Sequence, residues 1–403
     1  MTVLRGRWTL EDRVGDPVRE VAFEVPPGTA AITVRLSYDR AAGVLDLGCA
    51  GPEGFRGWSG GAREEYTIAP GWATPGYLPG PVEPGVWQVL LGLYRVPRDG
   101  LEYRIEVTAH REPPPPPEPP PPPPAGERPA AARRRGLPAL DGLTWAVGDP
   151  HAHSVHSDGA LTVPELAALA REQGLDFLAV TDHNTVSHHA ELPAAGRAAG
   201  ITLVPGQEVT TDLGHANAFS DIGWIDFRLP AREWVRETER RGGLLSVNHP
   251  VAADCAWRHP LPVRPRLAEV WHWSWWDRTW GAPLAWAAAW SPEVVLLGGG
   301  DFHHSGEGHP PGAPATWVLT ADPGDPDGIL AGIRAGRTAV SAGPDGPLLL
   351  RHGEDFLILD GDGLVLWGPG HRTVVRGDRV RLPARPGPHR LETERNEVMA
   401  LCT

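Results

Sequence analysis

The chain of 403 residues has no lysine, so all 37 of its basic residues are arginine. With Ala, Gly and Pro abundant, this is read as a matter of base composition and given no functional weight. Cysteine is scarce as well. Cys49, Cys255 and Cys402 are odd in number and widely scattered, which argues against a disulfide framework. No apolar run approaches the ~18 residues of a membrane span, so no membrane partner is expected. Residues 1–20 carry charges every few positions and lack the apolar core of a signal peptide. Positive charge is not in excess either. A formal net charge of −13 argues against a nucleic acid as obligatory partner, because a phosphate backbone calls for a basic surface. The expectation is a soluble, cytoplasmic protein acting on a small molecule.

Proline, by contrast, is plentiful, and it marks the domain organisation. Residues 113–124 are all Pro except Glu118. Proline lacks the amide donor and fixes φ, so this run predicts a polyproline II spacer of about 37 Å, at about 3.1 Å per residue. Before it, residues 21–25, 31–36, 87–91 and 103–107 are short, mostly alternating segments between Pro/Gly turns, as in a small β-sandwich. Nothing in that region suggests catalysis; it reads as an accessory or interaction module, with a merely structural role as the default. From about Thr144, strands and helices alternate. The best-marked helix runs from Thr162, which has the spacing of a capping box with Glu165, to Gly174. The boundaries expected are a β-sandwich at 1–111, a Pro-rich linker and lead-in at 112–143, an α/β barrel at 144–347, and a β-rich element at 348–403.

Five stretches place His, Asp or Glu at the end of apolar, strand-like runs. They are Asp149-Pro150-His151-Ala152-His153, Thr181-Asp182-His183-Asn184, Gln207-Glu208, Asn248-His249-Pro250 and Asp301-Phe302-His303. Five in series, separated by helical segments, describe side chains converging from the strand ends of one α/β barrel onto one site. Imidazole with carboxylate is the ligand set of zinc, manganese or iron, and two or more such ions make a hydrolytic centre. His151 and His153 are two apart, so on a strand they point the same way. Asp158 lies on the following turn, within reach of an adjacent metal.

Read in order, Gly148 to Gly159, Thr181 to Asn184, Gly206 to Glu208 with Gly214-His215, Asn248 to Pro250 and Gly299 to His303 resemble the polymerase-and-histidinol-phosphatase (PHP) superfamily. Within it they are most similar to the carbaryl-hydrolase-like branch, labelled CehA/McbA. The resemblance is firm over about residues 145–345. It implies a distorted (β/α)7 TIM-like barrel holding two to three divalent ions (Zn, Mn or Fe). His151, His153, Glu208 and Asp301 would hold the first; Glu208 would bridge to a second with His215 and His249; Asp158, His183 and His303 would hold a third. The activity implied is hydrolysis of a phosphoester by a metal-bridging hydroxide, with His156, His304 or His272 as proton donor. The carbaryl-like branch implies carbamate, amide or ester hydrolysis as the alternative. A binding module with a vestigial metal site is the alternative of another class, against which every expected ligand position carries a competent residue. One position departs from the family: His272 stands where Asn is usual, as an extra ligand, a proton donor or a neutral substitute.

Residues 271–290 hold seven tryptophans, at 271, 273, 275, 276, 280, 286 and 290. They read either as core packing with a rigid loop or as an aromatic wall that stacks a planar group of the substrate. His188, His189 and His309 lie in loops that could face the same barrel mouth, each alone more often reading as a solvated loop histidine.

Overall fold

In a computed structural model the described residues are 1–118 and 135–403. The spacer predicted over 113–124 therefore lies outside them from residue 119 onward. The chain divides into two compact units. One gathers the N-terminal strands with the short segments Val155–Gly159 and Asp182–His188, and the other holds the remaining structure.

The N-terminal unit contains two four-stranded sheets, and every strand pair in them is antiparallel. Thr2–Trp8, Leu101–His110, Ala31–Tyr38 and Glu65–Ile68 form one; Val18–Val25, Gly85–Arg95, Val44–Gly51 and Gly54–Gly60 form the other. Strand side chains alternate between faces, so each sheet buries one face. Phe23, Ile32, Val34, Leu36, Leu47, Tyr66, Trp87, Val89 and Ile105 from both sheets make one apolar cluster. The two sheets thus share one core.

The second unit is mixed α/β. Its large sheet orders Val295–Gly299, Leu267–His272, Leu244–Val247, Gly214–Phe219, Thr202–Thr211, Phe177–Val180, Thr144–Asp149, Ala315–Thr320 and Thr338–Ser341, then four strands of the C-terminal region. Helices Val163–Glu172, Leu192–Ala199, Ala231–Arg240, Ala282–Trp290 and Pro326–Arg334 intervene along the chain. The first is stopped as its sequence demands. Thr162 and Glu165 make the reciprocal capping box, and Gly174 adopts φ +82°, a left-handed turn that glycine enters without steric cost.

The sheet departs from a regular parallel barrel at two places. Thr202–Thr211 and Gly214–Phe219 form an antiparallel hairpin with no helix between them, and Ala315–Thr320 is antiparallel to both of its neighbours. The hydrogen-bonded order is open at Val295–Gly299 rather than closed. The hairpin has a consequence for the site. The start of an antiparallel strand lies at the same edge as the ends of its parallel neighbours. His215, second in its strand, therefore pairs with Thr210 near the end of the preceding one. In the C-terminal region, Leu348–His352, Asp355–Leu359 and Arg379–Pro383 make a separate three-stranded sheet, while Val398–Cys402 extends the large sheet through Thr338–Ser341.

Candidate metal centre

Close backbone approach brings the ligand-bearing strands together. A Cβ on Gly148 would lie 2.3 Å from the Phe177 carbonyl, so only glycine allows that pairing. Just beyond, the buried carboxylate of Asp149 accepts amide hydrogens from His151 (3.0 Å), Gly300 (3.0 Å) and Gly312 (2.7 Å). Burial pushes Asp149 up to about 7, with these three amides opposing the rise. It ties the turn that presents His151 to the turn that presents Asp301.

Four side chains then converge. One ligand atom from each of His151, His153, Glu208 and Asp301 lies within 4.8 Å of all the others. His151 Nε2 is 3.1 Å from His153 Nε2, 3.1 Å from Asp301 Oδ1 and 3.3 Å from Glu208 Oε1. His153 Nε2 is 2.8 Å from Asp301 Oδ1 and 3.6 Å from Glu208 Oε2. Two imidazole nitrogens facing each other at hydrogen-bond distance, with two carboxylates around them and almost no solvent, form a donor set suited to a transition metal. The residues present fit the implied ion.

Glu208 is fully buried and faces two ways. Its Oε1 lies 3.2 Å from His215 Nδ1, 3.2 Å from His249 Nε2, and accepts from Asn248 Nδ2 at 2.8 Å, while Oε2 faces His153. His249 and Asp301 both occupy the left-handed region, at φ +27° and +49°. Non-glycine residues there store strain, which accumulates at functional sites.

The charges are unbalanced in a revealing direction. Burial works against a charged His151, yet Asp301, Glu269 and Glu208 together hold its pKa well above the ordinary value. Burial likewise opposes ionisation of Asp301, but His151 first, then His153 and His272, keep it well below the usual carboxylate range. Such an excess of carboxylate is what a divalent cation would neutralise.

Two acidic residues here were not singled out in the sequence. Glu269 is buried in Leu267–His272, and its Oε2 lies 2.7 Å from His151 Nδ1. A carboxylate on the far nitrogen of a ligating imidazole fixes the tautomer that turns the other nitrogen to the metal. The detectable signal was a charged residue inside an apolar strand, which needs a partner when buried. Glu307 lies 3.2 Å from His303 Nδ1; partial burial would raise its pKa, but bonds from His303 hold it near 2.

The other expected residues are placed as follows. His303 stacks on His153 with ring centres 4.2 Å apart. His272 is buried, with Nδ1 2.7 Å from Ser274 Oγ and Nε2 3.2 Å from Asp301 Oδ2. His304 is exposed, and its Nδ1 accepts the Gly306 amide at 3.1 Å. Asp158, His183 and His156 belong to the segments of the N-terminal unit, where His183 Nε2 lies 3.7 Å from Asp158 Oδ1.

Two sequence readings are corrected, and a third is sharpened. His188 is no solvated loop residue: it is buried, with Nδ1 3.1 Å from Asp182 Oδ2. His189 bonds Asp221 at 2.9 Å and the Gly206 carbonyl at 3.0 Å, so it too is held. The tryptophans do not act as one block. Trp271 and Trp275 are core residues, whereas Trp276 and Trp280 are 82% and 68% exposed. Trp273 stacks on the half-buried His309 at 5.0 Å and stands 5.6 Å from His272.

Residues 149–248 match the PHP domain. A 5'-3' exoribonuclease of Haemophilus influenzae is 41% identical over 64 residues, 16% of this chain and 23% of that protein. A 3',5'-nucleoside bisphosphate phosphatase of Chromobacterium violaceum is 37% identical over 97 residues, 24% of this chain and 34% of its own length. The chain thus spans between about a quarter and a third of these two relatives. Among solved structures, a two-domain protein from Bacteroides vulgatus, described as containing a predicted PHP-like metal-dependent phosphoesterase, aligns over 66% of this chain and 97% of its own. The identity is 18% and the TM-score 0.43. No helix among the described residues is long and apolar enough to cross a membrane.

Proposed function

We propose that this protein is a metal-dependent hydrolase of phosphoesters, with the large sheet acting as the distorted barrel of the PHP superfamily. The observation that carries the reading is the buried convergence of His151, His153, Glu208 and Asp301 within 4.8 Å. A first ion would sit among those four, and a second between Glu208, His215 and His249. Asp158 and His183 are assigned to a third. Bound there, the ions would acidify a water and neutralise the charge that develops on the substrate's oxygens.

The chain's own residues prepare that chemistry. Glu269 keeps a proton on His151 Nδ1 and so frees Nε2. Asn248 donates to Glu208 Oε1 and fixes the rotation of that carboxylate. Asp149 holds the two ligand-bearing turns through backbone amides. Phe302 and Ala152, both buried and bridged backbone to backbone, exclude water behind the centre. His272, with Nε2 beside Asp301, is placed to pass a proton or to ligate; His304, exposed and engaged in its own turn, is less well placed.

The two relatives act on phosphoesters of nucleotides, by their names, and this favours a phosphoester over the carbamate expected of the carbaryl-like branch. Zinc- or manganese-replete protein is to be assayed with p-nitrophenyl phosphate, bis-p-nitrophenyl phosphate and an aryl carbamate, before and after chelation. Phosphoester turnover that is lost with the metal and restored by it is expected. Turnover of the carbamate alone would favour the other branch. Full activity with less than one metal equivalent per chain would overturn both.

A further inference from the structure

The N-terminal β unit was read from sequence as an accessory module with nothing catalytic in it. Its side-chain bonding adds an observation that bears on that role. The segments Val155–Gly159 and Asp182–His188, which carry Asp158 and His183, belong to this unit and are bonded to one turn of it. That turn centres on Gly76. The Gly76 amide donates to Ser187 Oγ at 3.0 Å, with His156 Nδ1 at 3.4 Å, and the Gly76 carbonyl accepts from Thr185 Oγ1 at 2.9 Å. The same carbonyl accepts the Trp58 amide at 2.9 Å, which anchors the turn to the strand Gly54–Gly60.

The network continues through both segments. His156 Nδ1 lies 2.7 Å from Ser187 Oγ, and Ser157 donates to Asp182 from its amide (3.0 Å) and its hydroxyl (2.7 Å). Arg63 adds a second tie: its Nε donates to the Pro75 carbonyl at 3.0 Å and its Nη2 to the Val155 carbonyl. The half-buried Asp46 of Val44–Gly51 is within electrostatic reach of the pair as well. Desolvation raises it to about 7, His183 opposes that rise and Asp158 adds to it.

Gly76 could be nothing else. Its φ is +100°, and a Cβ there would meet the Trp58 carbonyl at 2.8 Å and the His156 carbonyl at 2.9 Å. The backbone of the turn and the backbone of the segment are in direct apposition, with no space for a side chain. Surface decoration does not require such a fit.

We propose that the Gly76 turn is a positioning element, which sets Asp158 and His183 in place through the hydroxyls of Thr185 and Ser187. The β unit would then support two candidate ligands as well as its own core. The inference rests on the metal-hydrolase reading, and the experiment separates the two. Full-length Thr185→Val and Ser187→Ala, Thr185→Ser as the conservative variant, and Arg35→Ala at an exposed Arg35–Glu65 pair as control are compared with the parent. Hydrogen exchange over 155–159 and 182–188, manganese or zinc stoichiometry, and melting temperature are measured for each.

Thr185→Val and Ser187→Ala should lose exchange protection in both segments. They should also weaken the most weakly held metal about 10- to 100-fold, as expected when the support of a ligand is removed, while the tighter metals stay bound. Thr185→Ser and Arg35→Ala should match the parent. Unchanged exchange and unchanged metal uptake in both variants would overturn the inference, as would an equal loss at every metal alongside a lowered melting temperature. A parent that takes up no metal would overturn the hydrolase reading itself, with the exchange data still deciding whether the turn holds the segments.

Discussion

The buried four-residue centre and the Asp158–His183 pair offer the same kinds of ligand on different supports. His151, His153 and Glu208 have side chains with no exposure; Glu208 lies in a paired strand, and the amides of His151 and His153 bond Asp149 and the Phe302 carbonyl. Asp158 and His183 are 48% and 19% exposed and, on the inference above, are held through hydroxyls bonded to a glycine turn. The first support is cooperative with the fold, because disturbing it means disturbing a sheet. The second can be loosened locally. If each holds an ion as proposed, the two should bind with unequal strength.

The largest test of that contrast is Glu208→Gln. Removing the carboxylate that faces both sets of histidines should abolish tight metal binding and reduce kcat/KM well beyond 100-fold, whereas Asp158→Asn should cost far less. Elemental analysis and steady-state kinetics decide it. Equal, modest effects would mean the two regions are not distinct.

Next in size is Glu269→Gln, expected to weaken metal uptake about 10- to 100-fold at pH 8. The sign of its pH dependence follows from His151. The folded pKa of that imidazole is raised, so its proton competes with metal, and the parent's uptake should strengthen as pH rises. Removing the Glu269 charge lowers His151's proton affinity, so the gap between variant and parent should narrow toward acid pH. Metal titrations at several pH values would show this; a gap that widened in acid would contradict the assigned role.

The smallest effect separates two tryptophans. Trp275→Leu in the core should lower the melting temperature by an amount equivalent to about 2–4 kcal/mol and leave substrate preference alone. Trp273→Leu should instead lower the aryl-to-alkyl ratio of kcat/KM by roughly 5-fold, the low end of about 1–3 kcal/mol for stacking, since Trp273 is partly exposed. An unchanged ratio would leave Trp273 a packing residue beside His309.

Much of this was legible because ligand chemistry and strand ends coincide locally. The run 177–180 leads straight into Asp182-His183, and 244–247 into His249, so residue type and position could be read together. The capping box of Thr162 and Glu165 was legible for the same reason: it involves neighbours three residues apart. Glu269 stood out only as a charge inside an apolar strand, and the way His272 joins it was not legible. Three apart on a regular strand, the two would face opposite sides of the sheet. A register shift between Glu269 and Trp271, against Leu297 and Gly298, lets both reach the centre.

By itself, then, the sequence determined an α/β region with imidazole and carboxylate at successive strand ends, and a separate antiparallel β region ahead of it. These follow from patterns of period two and 3.6 and from glycine and proline at the turns. Tertiary structure alone decided which loops the β unit would hold, which carboxylate would orient His151, and which tryptophans would be buried. Each of those depends on backbone segments far apart in the chain meeting within hydrogen-bond distance. A linear pattern carries no distances across the fold, and it is such distances that turn a histidine into a ligand, a cap or a packing residue.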